Sequence, residues 1–148
     1  MAENRGKQFE TIIKKSFESV SNTAVIRLHD QTSGFKGSTN LCDFIVYRYP
    51  RLYLIECKSI HGNTFPLANI TDNQWRMAEF EELNGVYAGI ICWFVDKDVT
   101  GFFPIHQLKE LKESGRKSVR YDEIYYPIPG VKKRIFFDYD MKEFFNMF

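Results

Sequence analysis

Residues 41–58 read LCDFIVYRYPRLYLIECK, and this stretch decides the fold. Leu41 to Tyr49 and Leu52 to Lys58 are rich in β-branched and aromatic residues, and Pro50-Arg51 lies between them. Two such runs around a short turn predict a β-hairpin. A tight turn near Tyr49-Pro50 sets Asp43 opposite Glu56. Side chains alternate along a strand, so Lys58 shares a face with Glu56. Three charged groups then gather on one face of an otherwise apolar hairpin.

Outward from the hairpin, the pattern alternates between helix and strand. Phe9, Ile12, Ile13, Phe17 and Val20 recur at helical spacing, which predicts a helix from Gly6 to about Val20 with Asn4 as its N-cap. Ala24 to Leu28 reads as a short strand, and His29 to Asn40, polar with two glycines, as a loop. Thr71 to Leu83 reads as a helix opened by a Thr71…Gln74 capping box and closed at Asn84-Gly85. Val86 to Val95 is almost wholly apolar, as suits a central strand buried on both faces. Gly101 to Ile105 reads as an edge strand because of Pro104. His106 to Ser114 and Asp138 to Phe148 read as helices. The expected architecture is α/β, a mixed central sheet flanked by helices.

A chain of 148 residues is expected to form a single domain, residues 1–148. Hydrophobic residues at 44% and charged residues at 26% exclude wholesale disorder and coiled coil. No apolar run reaches the ~20 residues that span a bilayer. Met1 to Lys7 has no apolar signal core, so a cytoplasmic protein with no membrane partner is expected. The net charge of +1 does not announce nucleic acid, but the distribution of charge matters more than its sum. Cys42, Cys57 and Cys92 follow no metal-ligand spacing and read as buried reduced thiols.

Asp43, Glu56 and Lys58 carry the chemistry that the pattern suggests. Two carboxylates at cross-strand distance repel unless a divalent cation lies between them. Hard oxygen ligands in this number suit Mg²⁺, with the Ile55 or Cys57 carbonyl as a further ligand. The alternative is a solvated face of an edge strand. Glu10 lies about 80° from the centre of the first helix's apolar stripe and either leans toward the carboxylates or pairs with Lys14. Gln74 is either the capping-box partner of Thr71 or a water or phosphate ligand. Arg116, Lys117 and Arg120, the Lys132-Lys133-Arg134 run, and Arg5 and Lys7 near the start are candidate phosphate contacts, against a merely solvated surface. Tyr47, Tyr49 and Trp75 are expected in the core rather than stacked on bases.

Several of these stretches, taken in order, resemble one family. Asn4-Arg5-Gly6-Lys7-Gln8-Phe9-Glu10 resembles the N-terminal signature of RecU-type Holliday-junction resolvases. Asp43 with Glu56-Cys57-Lys58 is similar to the catalytic pattern of that family and of the wider PD-(D/E)xK, restriction-endonuclease-like, superfamily. Thr64-Phe65-Pro66-Leu67 followed by Gln74, the segment Gly115 to Arg120 followed by Asp122-Glu123, and Tyr126-Pro127-Ile128 also fit. The resemblance implies a homodimeric, Mg²⁺- or Mn²⁺-dependent endonuclease that resolves four-way DNA junctions by paired cuts. It implies catalytic roles for Glu10, Asp43, Glu56, Lys58 and Gln74, with Asp43, Glu56 and the Cys57 carbonyl at the metal. Only residues 29–42 are available for the stalk that enters the junction centre in longer members. That brevity resembles a compact, bacteriophage-type member and extends the expected substrates to flaps and forks. A restriction-type nuclease on linear duplex and a non-catalytic DNA-binding module are the alternatives.

Overall fold

A computed structural model describes the backbone of residues 2–28, 40–132 and 137–148, and the side chains of residues 6–28, 40–130 and 139–148. The chain runs through α1 (Ala2–Glu18), β1 (Ala24–Arg27), β2 (Phe44–Arg48), β3 (Arg51–Ile60) and β4 (Thr64–Pro66). A 3-10 turn at Leu67–Asn69 leads into α2 (Asp72–Trp75) and α3 (Met77–Phe80). Then follow β5 (Val86–Phe94), β6 (Val99–Pro104), α4 (Ile105–Glu113), β7 (Ser118–Arg120), β8 (Tyr126–Pro127), β9 (Gly130–Lys132), β10 (Phe137–Tyr139) and α5 (Met141–Met147).

Six strands form a mixed sheet in the order β1-β2-β3-β5-β6-β8. The hairpin register is the expected one, with Phe44 opposite Ile55 and Arg48 opposite Arg51. Extending it by one residue sets Asp43 against Glu56. β5 lies parallel to β3 and antiparallel to β6, so it has a strand on each side. Gly89 in β5 leaves no room for a side chain, since a Cβ there would run into the Phe103 carbonyl and the Phe102 ring. Period-two alternation sorts the buried residues into two layers. On one face, Tyr53, Ile55 and Cys57 of β3 pack with Phe9, Ile13 and Phe17 of α1 and with Phe144 and Phe145 of α5. On the other, Leu54, Ile90 and Cys92 pack with Met77, Leu108, Phe65 and Val119. A two-stranded ladder of β4 and β7 hangs on this second face, and β9 pairs separately with β10.

Several expectations need correction. The first helix begins at Ala2, so Asn4 lies inside it rather than capping it. The helix expected over residues 71–83 breaks at Arg76 into two short helices; only its capping box is as expected. β6 is not the edge, because Tyr126 and Pro127 pair with Phe102 and Gly101. Two residues are too few to show a strand period, which hid β8 from the sequence pattern. The last helix starts at Met141 with Asp140 as N-cap, and residues before it extend as β10. Tyr47 and Tyr49 stand exposed, at 44% and 80%, instead of entering the core. Residues 29–39 of the expected loop, Lys133-Arg134 and the Arg5 side chain lie outside the described residues.

Candidate active site

The site forms where β2 ends before β3 does. β2 pairs with β3 only as far as Phe44, and among the described residues no strand lies beside that edge of β3 beyond Ile55. Asp43 fills that gap. Its N–H donates to the Ile55 carbonyl at 3.0 Å, and its own carbonyl accepts from Leu28 at 2.8 Å. Its Oδ2 accepts the Cys57 N–H at 2.9 Å, replacing the missing ladder bond. The N–H and C=O of one strand residue point to the same edge, so the Cys57 carbonyl also faces this opening.

Glu56 and Lys58 project from β3 on the face opposite to the Cys57 thiol. Glu56 is buried, at 7% exposure. Burial first, and then the Asp43 charge, push its carboxyl from the usual 4.5 up to about 8, while Lys58 pulls it down. This is the signature of a carboxylate pair short of positive charge. The Lys58 Nζ lies 3.6 Å from Glu56 Oε2 and donates to the Asn69 carbonyl at 3.1 Å.

Glu10 sits on α1, and its Oε2 meets Arg27 Nη2 of β1 at 2.7 Å; Lys14 instead pairs with Glu18. The Glu10 charge still reaches Glu56, raising its carboxyl by less than Asp43 does. Gln74 forms the capping box: its N–H donates to Thr71 Oγ1 at 3.1 Å, and its Oε1 accepts the Thr71 N–H at 3.0 Å. Burial, then Asp43 and Glu56, hold the Cys57 thiol well above its usual range, so it is no thiolate ligand. Cys42 is likewise pushed up to about 12, chiefly by burial.

The candidate phosphate contacts lie further out. Lys7 is exposed on α1, three residues before Glu10 and hence on the same side of the helix. Arg116, Lys117 and Arg120 are exposed at the β7 end of the small ladder. Arg116 pairs with Glu123 at 2.7 Å and Arg120 with Asp122 at 3.1 Å. Both guanidiniums are thereby raised above their usual range by their carboxylate hydrogen bonds. Two contributors carry no signal in the residue pattern. Arg27 is an ordinary strand-end arginine until the fold brings it to Glu10, and Asn69 acts through its main chain.

A divalent cation fits this donor set. Among the described residues no three His, Cys, Asp or Glu side chains converge on one point. Mg²⁺, however, takes only one or two protein carboxylates and completes its shell with carbonyl oxygen and water. Asp43, Glu56 and the Cys57 carbonyl are donors of that kind beside the end of β2.

A family model described as Recombination protein U matches residues 27–139, more than half of the chain. The match begins after the Asn4-to-Glu10 stretch and includes Asp43, Glu56 and Lys58. No curated protein sequence matches significantly. Among solved structures, the chain is similar to Hjc of Archaeoglobus fulgidus, a Holliday junction resolvase from an archaeal hyperthermophile. The TM-score is 0.53 and the identity 17%, over 82% of this chain and 88% of that one. At that identity the likeness shows the fold, the restriction-endonuclease-like sheet with its flanking helices.

Proposed function

The chain belongs to the Recombination protein U family, and from that premise we propose that it is a Mg²⁺- or Mn²⁺-dependent endonuclease that resolves four-way DNA junctions. The observation that carries the reading is the buried Glu56, its carboxyl raised to about 8 beside Asp43 at an open strand edge. Burying like charges together is costly unless a cation joins them. Asp43, Glu56 and the Cys57 carbonyl hold the ion. When bound there, a divalent cation polarises a phosphoryl oxygen and lowers the pKa of its water. Lys58 orients the attacking water and balances charge that builds on the phosphate. Glu10, braced by Arg27, adds negative charge on the α1 side, and Gln74 fixes the start of α2 next to the turn that holds Lys58. Lys7, Arg116, Lys117 and Arg120 contact the DNA backbone, as does Arg5.

Resolution needs two opposed cuts, which suits a homodimer with a two-fold axis. The enzyme acts in the cytoplasm; among the described residues no helix is long and apolar enough to cross a membrane. The test is incubation of purified protein with a synthetic four-way junction, a linear duplex and a flap, with Mg²⁺ or with EDTA. The proposal expects paired nicks in the junction, only with metal. Discrete cuts in linear duplex would point to a restriction-type enzyme, and binding without cleavage to a non-catalytic module. Either result overturns the proposal. Sedimentation at micromolar concentration should give a dimer.

A further inference from the structure

Lys58 has two neighbours of different kinds. Its Nζ donates to the Asn69 carbonyl at 3.1 Å, while Glu56 Oε2 lies at 3.6 Å. The first distance is a hydrogen bond and the second is too long for one. An ammonium beside a buried carboxylate ordinarily closes to a charge-assisted contact of about 2.8 Å. Here a neutral carbonyl holds the closer place.

The carbonyl is itself firmly placed. Asn69 ends the 3-10 turn Leu67–Asn69, closed by the Ile70 N–H on the Leu67 carbonyl at 3.1 Å. Leu67 is buried, and its N–H donates to the Lys117 carbonyl at 2.8 Å. On one side, Thr64–Pro66 pairs with Ser118–Arg120. On the other, the Thr71–Gln74 capping box fixes the exit of the turn. The turn is thus clamped between a ladder and a cap, and its last carbonyl faces the Lys58 amine.

We infer that the main-chain carbonyl of Asn69 is a positioning group for Lys58: it draws the ammonium off Glu56, leaving that carboxylate open to a cation and the amine aimed beyond it. The inference rests on the proposed nuclease reading and deepens it. Without the carbonyl, Lys58 closes on Glu56 and the site trades a metal ligand for an internal ion pair. A lysine on a flexible stem also carries rotamer freedom, which a fixed acceptor removes before substrate arrives.

A main-chain acceptor is tested by changing the main chain. Replacing Ile70 with its α-hydroxy analogue turns the 69–70 amide into an ester, whose carbonyl is a weaker acceptor. The same change deletes the Ile70 N–H that binds the Leu67 carbonyl. A second variant, with Ala68 replaced by its α-hydroxy analogue, weakens that same bond from the acceptor side and leaves the Asn69 carbonyl an amide. The Ile70 ester should slow turnover of a four-way junction at saturating Mg²⁺ about tenfold with unchanged junction affinity. The Ala68 ester should stay within about twofold of wild type. The ¹⁵N signal of the Lys58 amine, identified by its loss in Lys58→Arg, should shift in the Ile70 ester and not in the Ala68 ester. Equal effects of the two esters on both readouts, or an unmoved Lys58 signal in the Ile70 ester, would overturn the inference. The amine signal needs no cleavage, so an inactive wild-type protein would refute the nuclease reading while the tether is still tested.

Discussion

The two faces of the six-stranded sheet are built to different rules. The α1/α5 face is aromatic: Phe144 makes edge contacts with Phe17 and Phe102 at 5.3 and 5.1 Å, and a tilted contact with Tyr53 at 5.4 Å. Ser16, a buried polar group inside α1, is satisfied by donating to the Ile12 carbonyl and accepting the Tyr139 N–H. The opposite face is covered by the short helices α2, α3 and α4, and carries buried Glu56 with Lys58 toward the end of β3. One face concentrates packing free energy. The other buries the Glu56 carboxyl beside Asp43, and so gives up stability at the candidate site.

Substitutions on the two faces should therefore separate activity from stability. Asp43→Asn removes a charge but almost no volume, and asparagine keeps an oxygen for the Cys57 N–H. Junction cleavage in Mg²⁺ should fall by at least about a thousandfold, with junction binding retained in Ca²⁺ and the melting temperature close to wild type. A variant that still nicks near the wild-type rate would remove Asp43 from the metal site. Phe144→Ala should do the reverse. Phe144 is fully buried, so its loss should cost about 3–5 kcal/mol. That corresponds to a fall of roughly 10 °C in melting temperature. Its kcat at a temperature where it remains folded should be within a few-fold of wild type.

The Glu56 carboxyl gives the site face its own pH signature. Its pKa is about 8 in the folded, metal-free chain against 4.5 ordinarily. Between those values the native state holds a proton that the unfolded chain has released, so unfolding free energy falls as pH rises. In EDTA the urea midpoint should drop between pH 5 and pH 8.5, by at most a few kcal/mol of stability. Glu56→Gln should flatten this dependence, and Mg²⁺ should stabilise wild type more at pH 8.5 than at pH 5. A wild-type midpoint that rises over this interval would refute the direction of the shift.

The same contrast explains what the sequence makes legible. The apolar stripe of α1 announces its helix by a single period, and the nearly unbroken Val86-to-Phe94 run announces a buried strand by its length and apolar content. The hairpin register follows from a short turn, and with it the cross-strand placement of Asp43 and Glu56. The site's surroundings are less legible because they depend on contacts between distant segments. Arg27 reaches Glu10, the Asn69 carbonyl reaches Lys58, and Thr64–Pro66 finds Ser118–Arg120. None of these leaves a periodic trace, and a main-chain acceptor leaves no residue type to recognise. Tyr47 and Tyr49 show the opposite error: aromatic residues in a strand suggest burial, but both stand exposed at and beside the hairpin turn.

The smallest effect concerns the rim of the site face. Arg116 and Arg120 are the obvious phosphate contacts of the late basic segment, yet each already holds a carboxylate. Glu123 also accepts the Arg120 N–H at 2.8 Å, so it serves the loop and the Arg116 guanidinium together. DNA must compete with this internal partner, and an exposed pair yields readily in that competition. Glu123→Gln keeps the acceptor oxygen for the Arg120 N–H and removes the charge that holds Arg116. Junction binding should tighten about two- to fivefold at 0.1 M salt. The salt dependence should steepen by about one unit of slope, because one more phosphate is neutralised. Unchanged affinity and slope would mean that Arg116 faces no phosphate.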